Sequence, residues 1–149
     1  MDFWRPNYRA EAFVDGKYST RMYLTTLIHA WKNYQAASRR GLNGHTHYCF
    51  HLPFTKIAYK SFDRLCRADG VQSPPEAELK RLIEPALLYN RQTGNTYAAC
   101  LYEALTSLLD NAPAPLDNQR IGLFSYGSGC VAEFFSGVIQ PGYQKHIFT

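Results

Sequence analysis

Long apolar runs are missing from this sequence, and none approaches the roughly 20 residues that cross a bilayer. The opening Met1-Asp2-Phe3-Trp4-Arg5-Pro6 also lacks the basic head and apolar run of a signal peptide. A soluble cytoplasmic protein is the expectation, without a membrane partner. Runs of one charge are equally scarce. The net charge of +4 is mild, and the basic residues are scattered apart from pairs such as Arg39-Arg40, so no stripe for nucleic acid is present. No C-x-x-C pair occurs either. Cys49, Cys66, Cys100 and Cys130 are spread along the chain, three of them inside apolar patterns, which predicts buried free thiols rather than a disulfide framework.

What is present is apolar and aromatic. With 149 residues and 46% hydrophobic content, the chain has the size and composition of one domain over residues 1–149. Aromatics reach 15%, including eleven tyrosines, consistent with a dense core, an adhesive surface, or a portion of a molecule whose partner surface is exposed.

Periodicity orders the chain. Residues 1–18 read as extended segments and turns, with Asp15-Gly16 a tight turn. Leu24, Leu27, Ile28, Trp31 and Tyr34 mark a helix starting near Ser19 and stopped by Gly41, with His29 off its stripe. Residues 46–51 read as an aromatic strand on which 47, 49 and 51 face one side. Ile57, Ala58, Phe62, Leu65 and Cys66 mark a helix ending before Gly70. Another follows over 75–90, with Pro85 predicting a kink or early stop. Tyr97, Cys100, Leu101, Ala104, Leu105 and Leu108 mark a further helix for which Asn95 is the N-cap candidate. Arg120–Tyr126 and Val131–Ile139 read as strands about a Gly127-Ser128-Gly129 turn, which leaves bare backbone that a ligand can approach. The order of strand, helices, strand, strand is that of an α/β protein.

The chemistry centres on His47-Tyr48-Cys49-Phe50-His51-Leu52-Pro53-Phe54-Thr55-Lys56. A strand stops at a proline, Thr55 caps a helix, and Lys56 and Lys60 lie near its start. A histidine at a strand end exchanges protons near neutral pH, and cations at a helix N-terminus favour an anion. The guest such a pair suits is an acyl group with a phosphate-bearing handle. His45, His47 and His51 invite a metal reading, but no further ligand cluster follows at the right spacing. A Cys49-His51 dyad would span about 7 Å along a strand, too long for the hydrogen bond that activates a thiol.

Five motifs in order carry a resemblance: Asp-Phe-Trp-Arg-Pro at 2–6, Val-Asp-Gly-Lys at 14–17, His-Leu-Pro-Phe-Thr-Lys at 51–56, Gly-Asn-Thr-Tyr at 94–97 and Phe-Ser-Tyr-Gly-Ser-Gly at 124–129. Together they resemble the C-terminal part of the hydroxymethylglutaryl-CoA synthase family of the bacterial mevalonate pathway, within the thiolase-like superfamily. The resemblance implies a C-terminal half with a mixed sheet flanked by helices. It also implies an acyltransferase that condenses acetyl-CoA with acetoacetyl-CoA, with these thioesters as substrates and no separate cofactor. By motif, His51 resembles the catalytic histidine that holds and polarises the acetoacetyl group, and Lys56 resembles the lysine that meets coenzyme A. Asn95 and Ser128 resemble acetoacetyl contacts, and Asp15 an aspartate near the site; Lys60 is singled out only by its charge.

In that family the nucleophilic cysteine and catalytic glutamate lie N-terminal to Asp-Phe-Trp-Arg-Pro. None of the four cysteines matches the nucleophile motif, so the expectation is that residues 1–149 alone do not turn over. The resemblance further implies dimerisation, with exposed apolar surface driving homo-oligomer formation. Two other readings are a non-catalytic acyl-CoA-binding module or partner subunit for a separate N-terminal half, and an unrelated hydrolase using His51 with a local cysteine.

Overall fold

The computed structural model of the chain describes residues 3, 4, 8, 10, 11, 13–127 and 129–147. Two short strands, β1 (Phe3–Trp4) and β2 (Phe13–Val14), pair antiparallel. Asp15 then turns the chain into α1 (Gly16–Ser38), its Oδ1 accepting the N–H groups of Lys17 and Tyr18 at 3.0 Å each. Asp15-Gly16 is thus a helix cap rather than a free tight turn, and α1 starts three residues before Ser19. A carboxylate here satisfies two of the four orphan donors of a helix start and opposes the positive end of its dipole. At the other end Arg39 adopts a left-handed φ of 57° and donates its N–H to the Gln35 carbonyl, ending the helix before Gly41.

The expected amphipathic stripe is present but rotated by about one residue. Tyr23, Leu27, Ala30 and Trp31 form the buried face, while Leu24, Ile28 and Tyr34 flank it and His29 is exposed. Strand β3 (His47–Phe50) is buried throughout, and α2 (Lys56–Ala68) follows it with the predicted apolar face inward. Thr55 does not cap α2 through its side chain, because its own backbone is already helical. The carbonyls of Phe54 and Thr55 instead accept the N–H groups of Ile57 and Ala58.

Helix α3 (Glu76–Ile83) stops just before Pro85, whose ring removes a donor and crowds the preceding turn; a 3-10 turn (Glu84–Leu87) and the short α4 (Asn90–Thr93) continue the path. Helix α5 (Cys100–Asn111) leads to β4 (Arg120–Gly127) and β5 (Val131–Val138). The three long strands form one sheet in the order β3-β4-β5, with β3 parallel to β4 and β4 antiparallel to β5. This is the mixed sheet flanked by helices that the resemblance implies. Among the described residues, no helix is long and apolar enough to cross a membrane.

Helix α1 packs across β4 and β5, and α3 and α5 pack on β3. On the α1 side, Trp31 and Phe134 meet edge to face at 4.7 Å, and Tyr48 meets Phe62 of α2 at 4.9 Å. Gly122 lies between these rings: a Cβ there would come within 2.9 Å of Phe134 Cζ and 3.0 Å of Tyr48 Cδ1. The missing side chain lets two aromatic layers close over β4.

Candidate active site

A parallel pair brings both strand C-termini to one edge of the sheet, where open α/β proteins bind ligands. His51 is the first residue past β3, so the alternation of the strand does not extend to it. Its N–H donates to the Phe124 carbonyl at 2.8 Å, and its own carbonyl accepts the Tyr23 hydroxyl at 2.7 Å. With the backbone fastened on both sides, the half-buried imidazole lines a cavity of about 440 Å³. Burial disfavours the charged ring and lowers its pKa from the ordinary histidine value, so at pH 7 the imidazole is predominantly neutral.

Four segments wall this cavity. Residues 14, 16, 19, 20 and 23 come from β2 and α1; His51, Pro53, Phe54 and Ile57 from the β3–α2 connection; Asn95, Tyr97 and Ala98 from the loop before α5; Tyr126 and Gly127 from the end of β4. The Tyr23 ring packs edge to face on Tyr126 at 5.0 Å and on Phe124 at 5.2 Å, and the His51 ring stands 6.1 Å from Tyr126. A mostly apolar wall with a few polar groups suits a small organic ligand.

Asn95 is exposed and its Oδ1 accepts the Tyr97 N–H at 2.9 Å. It does not cap α5, which begins at Cys100; it closes a two-residue turn into the 3-10 turn Tyr97–Ala99. Tyr97, expected on the buried stripe, is 72% exposed at the cavity wall and holds a φ of 55°. For an L-residue with a Cβ that left-handed conformation costs about 1–2 kcal/mol, which the Asn95 hydrogen bond helps to offset.

The other expected residues divide. Lys56 is exposed on the first turn of α2, between the wall residues Phe54 and Ile57, and Lys60 is exposed one turn later; neither lines the cavity. Asp15 sits between wall residues 14 and 16 with its carboxylate engaged in capping α1. Ser128 lies outside the described residues, although its neighbour Gly127 is in the wall. Sequence reasoning missed Tyr23 and Tyr126. Tyr23 falls one position off the stripe used to place α1, and Tyr126 lies inside a quoted motif where its aromatic character was the available signal.

The remaining titratable groups are in separate places. His45 accepts or donates at Nε2 with the Tyr34 hydroxyl at 2.8 Å, and His47 Nδ1 lies 3.3 Å from Thr46 Oγ1. Burial lowers both rings to about 4; for His45 it outweighs the nearby Leu42 carbonyl, and for His47 the charge of Arg81 on α3 adds to it. Among the described residues, no three His, Cys, Asp or Glu side chains converge on one point. All four cysteines are free, with Cys49, Cys66 and Cys100 buried and Cys130 partly so. Burial pushes the Cys49 thiol far up, and no described cysteine lines the cavity.

The model of the hydroxymethylglutaryl-coenzyme A synthase C-terminal family matches residues 1–84 and 75–147. Hydroxymethylglutaryl-CoA synthase of Enterococcus faecalis is 37% identical over 149 residues, covering 98% of this chain and 38% of the relative. The enzyme of the same name from Saccharomyces cerevisiae is 30% identical over 182 residues, covering 91% and 37%. A crystal structure of HMG-CoA synthase complexed with CoA aligns with a TM-score of 0.84 at 38% identity, over 100% of this chain and 38% of that one. The HMG synthase of the curacin biosynthetic pathway in complex with acetyl donor-ACP aligns at 0.81 with 34% identity, over 95% and 35%. The chain thus spans less than half the length of the curated relatives it matches. With that match extending over both the His51 and the Asn95 segments, the chain belongs to the hydroxymethylglutaryl-coenzyme A synthase C-terminal family.

Proposed function

We propose that this chain supplies the acyl-thioester site of a hydroxymethylglutaryl-CoA synthase, the acyltransferase that condenses acetyl-CoA with acetoacetyl-CoA to 3-hydroxy-3-methylglutaryl-CoA in isoprenoid biosynthesis. The observation that carries the reading is the single cavity lined by both His51 and Asn95 at the end of a parallel strand pair. Carbon–carbon bond formation at a ketone needs a donor where negative charge develops on the carbonyl oxygen. His51, neutral and fixed through its backbone, serves as that hydrogen-bond donor to the acetoacetyl ketone, and Asn95 orients the same group. Ser128 is a third contact. Asp15 acts indirectly by fixing the α1 start that walls the cavity. Lys56 beside the mouth attracts the phosphates of coenzyme A, with Lys60 adding to the field; at these exposed positions their effect is salt-dependent. The nucleophile and the base for the acetyl methyl proton come from other residues than those of this cavity. Self-association through apolar surface belongs to the same reading and is supported by the exposed Val14, Tyr97 and Val131.

The test is calorimetric titration of acetoacetyl-CoA into the 149-residue chain and into His51→Ala and Lys56→Ala. Saturable binding, weakened roughly tenfold by each change, is the expected result. Absence of binding would overturn the reading that this chain itself supplies the site.

A further inference from the structure

Beneath Asn95 sits a thiol with no solvent exposure. Cys100 begins α5, and the Thr96 N–H donates to its Sγ at 3.0 Å. The thiol has Asn95 Oδ1 at 3.2 Å and the Leu52 carbonyl at 3.4 Å, and its single proton goes to one of these at a time. Leu52 directly follows His51. One sulfur atom therefore touches both segments that bring His51 and Asn95 to the cavity.

The consequence concerns which end of the Asn95 amide faces a ligand. The Tyr97 N–H can only donate, so the atom 2.9 Å from it is the amide oxygen. With its proton on the nearer of its two acceptors, the Cys100 S–H is a second donor to that oxygen and leaves Nδ2 as the free end, for which no hydrogen bond is present among the described residues. A carboxamide presented by its NH2 group donates to a carbonyl; presented by its oxygen it would repel one.

We infer that Cys100 is a positioning residue: its buried thiol, donating to the nearer Asn95 oxygen, locks that amide with Nδ2 toward the cavity, while its sulfur packs against Leu52 beside the His51 end of β3. The inference rests on the acyl-thioester reading for its functional effect but on the side-chain geometry for the lock itself. Serine keeps a donor and an acceptor at this position, whereas alanine keeps neither.

Amide hydrogen exchange by NMR, run on the 149-residue chain, separates the two parts. In Cys100→Ala the Tyr97 amide exchanges about fivefold faster, as it does in Asn95→Ala, and the double variant is no faster than either single change. Cys100→Ser keeps wild-type exchange, and the amides of Leu105 and Leu108 are unaffected in all variants. In parallel titrations Cys100→Ala weakens acetoacetyl-CoA about fivefold and leaves coenzyme A, which carries no acyl group, unchanged. Wild-type Tyr97 exchange in Cys100→Ala, equal acceleration throughout α5, or additive effects in the double variant would each overturn the lock. Equal weakening of coenzyme A and its thioester would overturn its link to the acyl group. If the wild-type chain binds neither ligand, the acyl-site reading fails, and the exchange pattern still decides for or against the lock.

Discussion

The Tyr23 hydroxyl donates to the main-chain carbonyl of His51 at 2.7 Å, joining α1 to the end of β3 across 28 positions of sequence. The Tyr23 side chain is buried, so Tyr23→Phe leaves that carbonyl without its side-chain donor. The expected cost is about 1–2 kcal/mol in denaturant unfolding, the range for a buried polar group that loses its partner. Acetoacetyl-CoA binding should fall with it, because the backbone carrying the imidazole is released on one side. Unfolding curves that superimpose on wild type would show that the carbonyl finds another donor.

His45 and His47 make stability depend on pH. Each ring is more than nine-tenths buried, and among the described residues His45 Nδ1 and His47 Nε2 have no hydrogen-bond partner, so burial disfavours the charged form of both, for His45 against the pull of the Leu42 carbonyl. Both native pKa values lie at about 4, against about 6.5 in an unfolded chain. Below pH 6.5 the unfolded state therefore binds protons that the native state refuses, and stability rises with pH through this window. It is complete above pH 6.5 and falls progressively toward pH 4, by on the order of 3 kcal/mol for each ring. Urea midpoints from pH 7.5 to 4.5 measure this. His47→Gln should flatten the profile, and an unchanged slope in that variant would assign the loss to other groups.

How much was visible in advance follows from how local each signal is. The strand at 46–51, the α2 face and the stop at Pro85 are written in neighbouring residues and were legible. The caps were not. Asp15 caps α1 and Asn95 does not cap α5, because the choice between a turn and a cap depends on where the following helix packs, which is set by Tyr23 and Cys100 meeting residues far along the chain. His51 and Asn95 stand in motifs that the sequence displays, and the structure brings both to one cavity. Their common cavity required Tyr126 and α1 to close it, a long-range arrangement that no local period records.

Gly122 offers a direct check of the aromatic packing. Its backbone needs no special conformation, so the only effect of adding a methyl group is the approach to Phe134 and Tyr48. Both neighbours are rings buried in the core and cannot swing aside. Gly122→Ala should therefore destabilise the chain by about 1–3 kcal/mol, the range for overpacking. Shortening the obstructing side chain, as in Gly122→Ala with Phe134→Leu, should recover part of the loss. A single variant as stable as wild type would mean that β5 shifts freely relative to α1.

Glu103, on the first turn of α5, organises the loop that carries Asn95. Its carboxylate accepts the Thr96 hydroxyl at 2.7 Å and Asn90 Nδ2 at 3.1 Å, and the Thr93 hydroxyl also donates to it. Three donors from 90, 93 and 96 converge on one charged acceptor, and charge-assisted bonds of this kind are about twice as strong as neutral ones. A carboxylate near a helix N-terminus is favoured by the dipole as well. Glu103→Ala should cost about 2–3 kcal/mol and speed amide exchange at Thr96 and Tyr97, since Asn90 is buried and its Nδ2 would lose its acceptor. Glu103→Gln retains one acceptor oxygen and should fall between wild type and Glu103→Ala. The distinguishing readout is salt. Loss of a charge-assisted cluster that is only partly exposed leaves the stability difference between wild type and Glu103→Gln nearly constant from low to high ionic strength, whereas a purely surface effect would vanish over that range. Such a vanishing would assign the loop's order to the Cys100 thiol and the Asn95 turn alone.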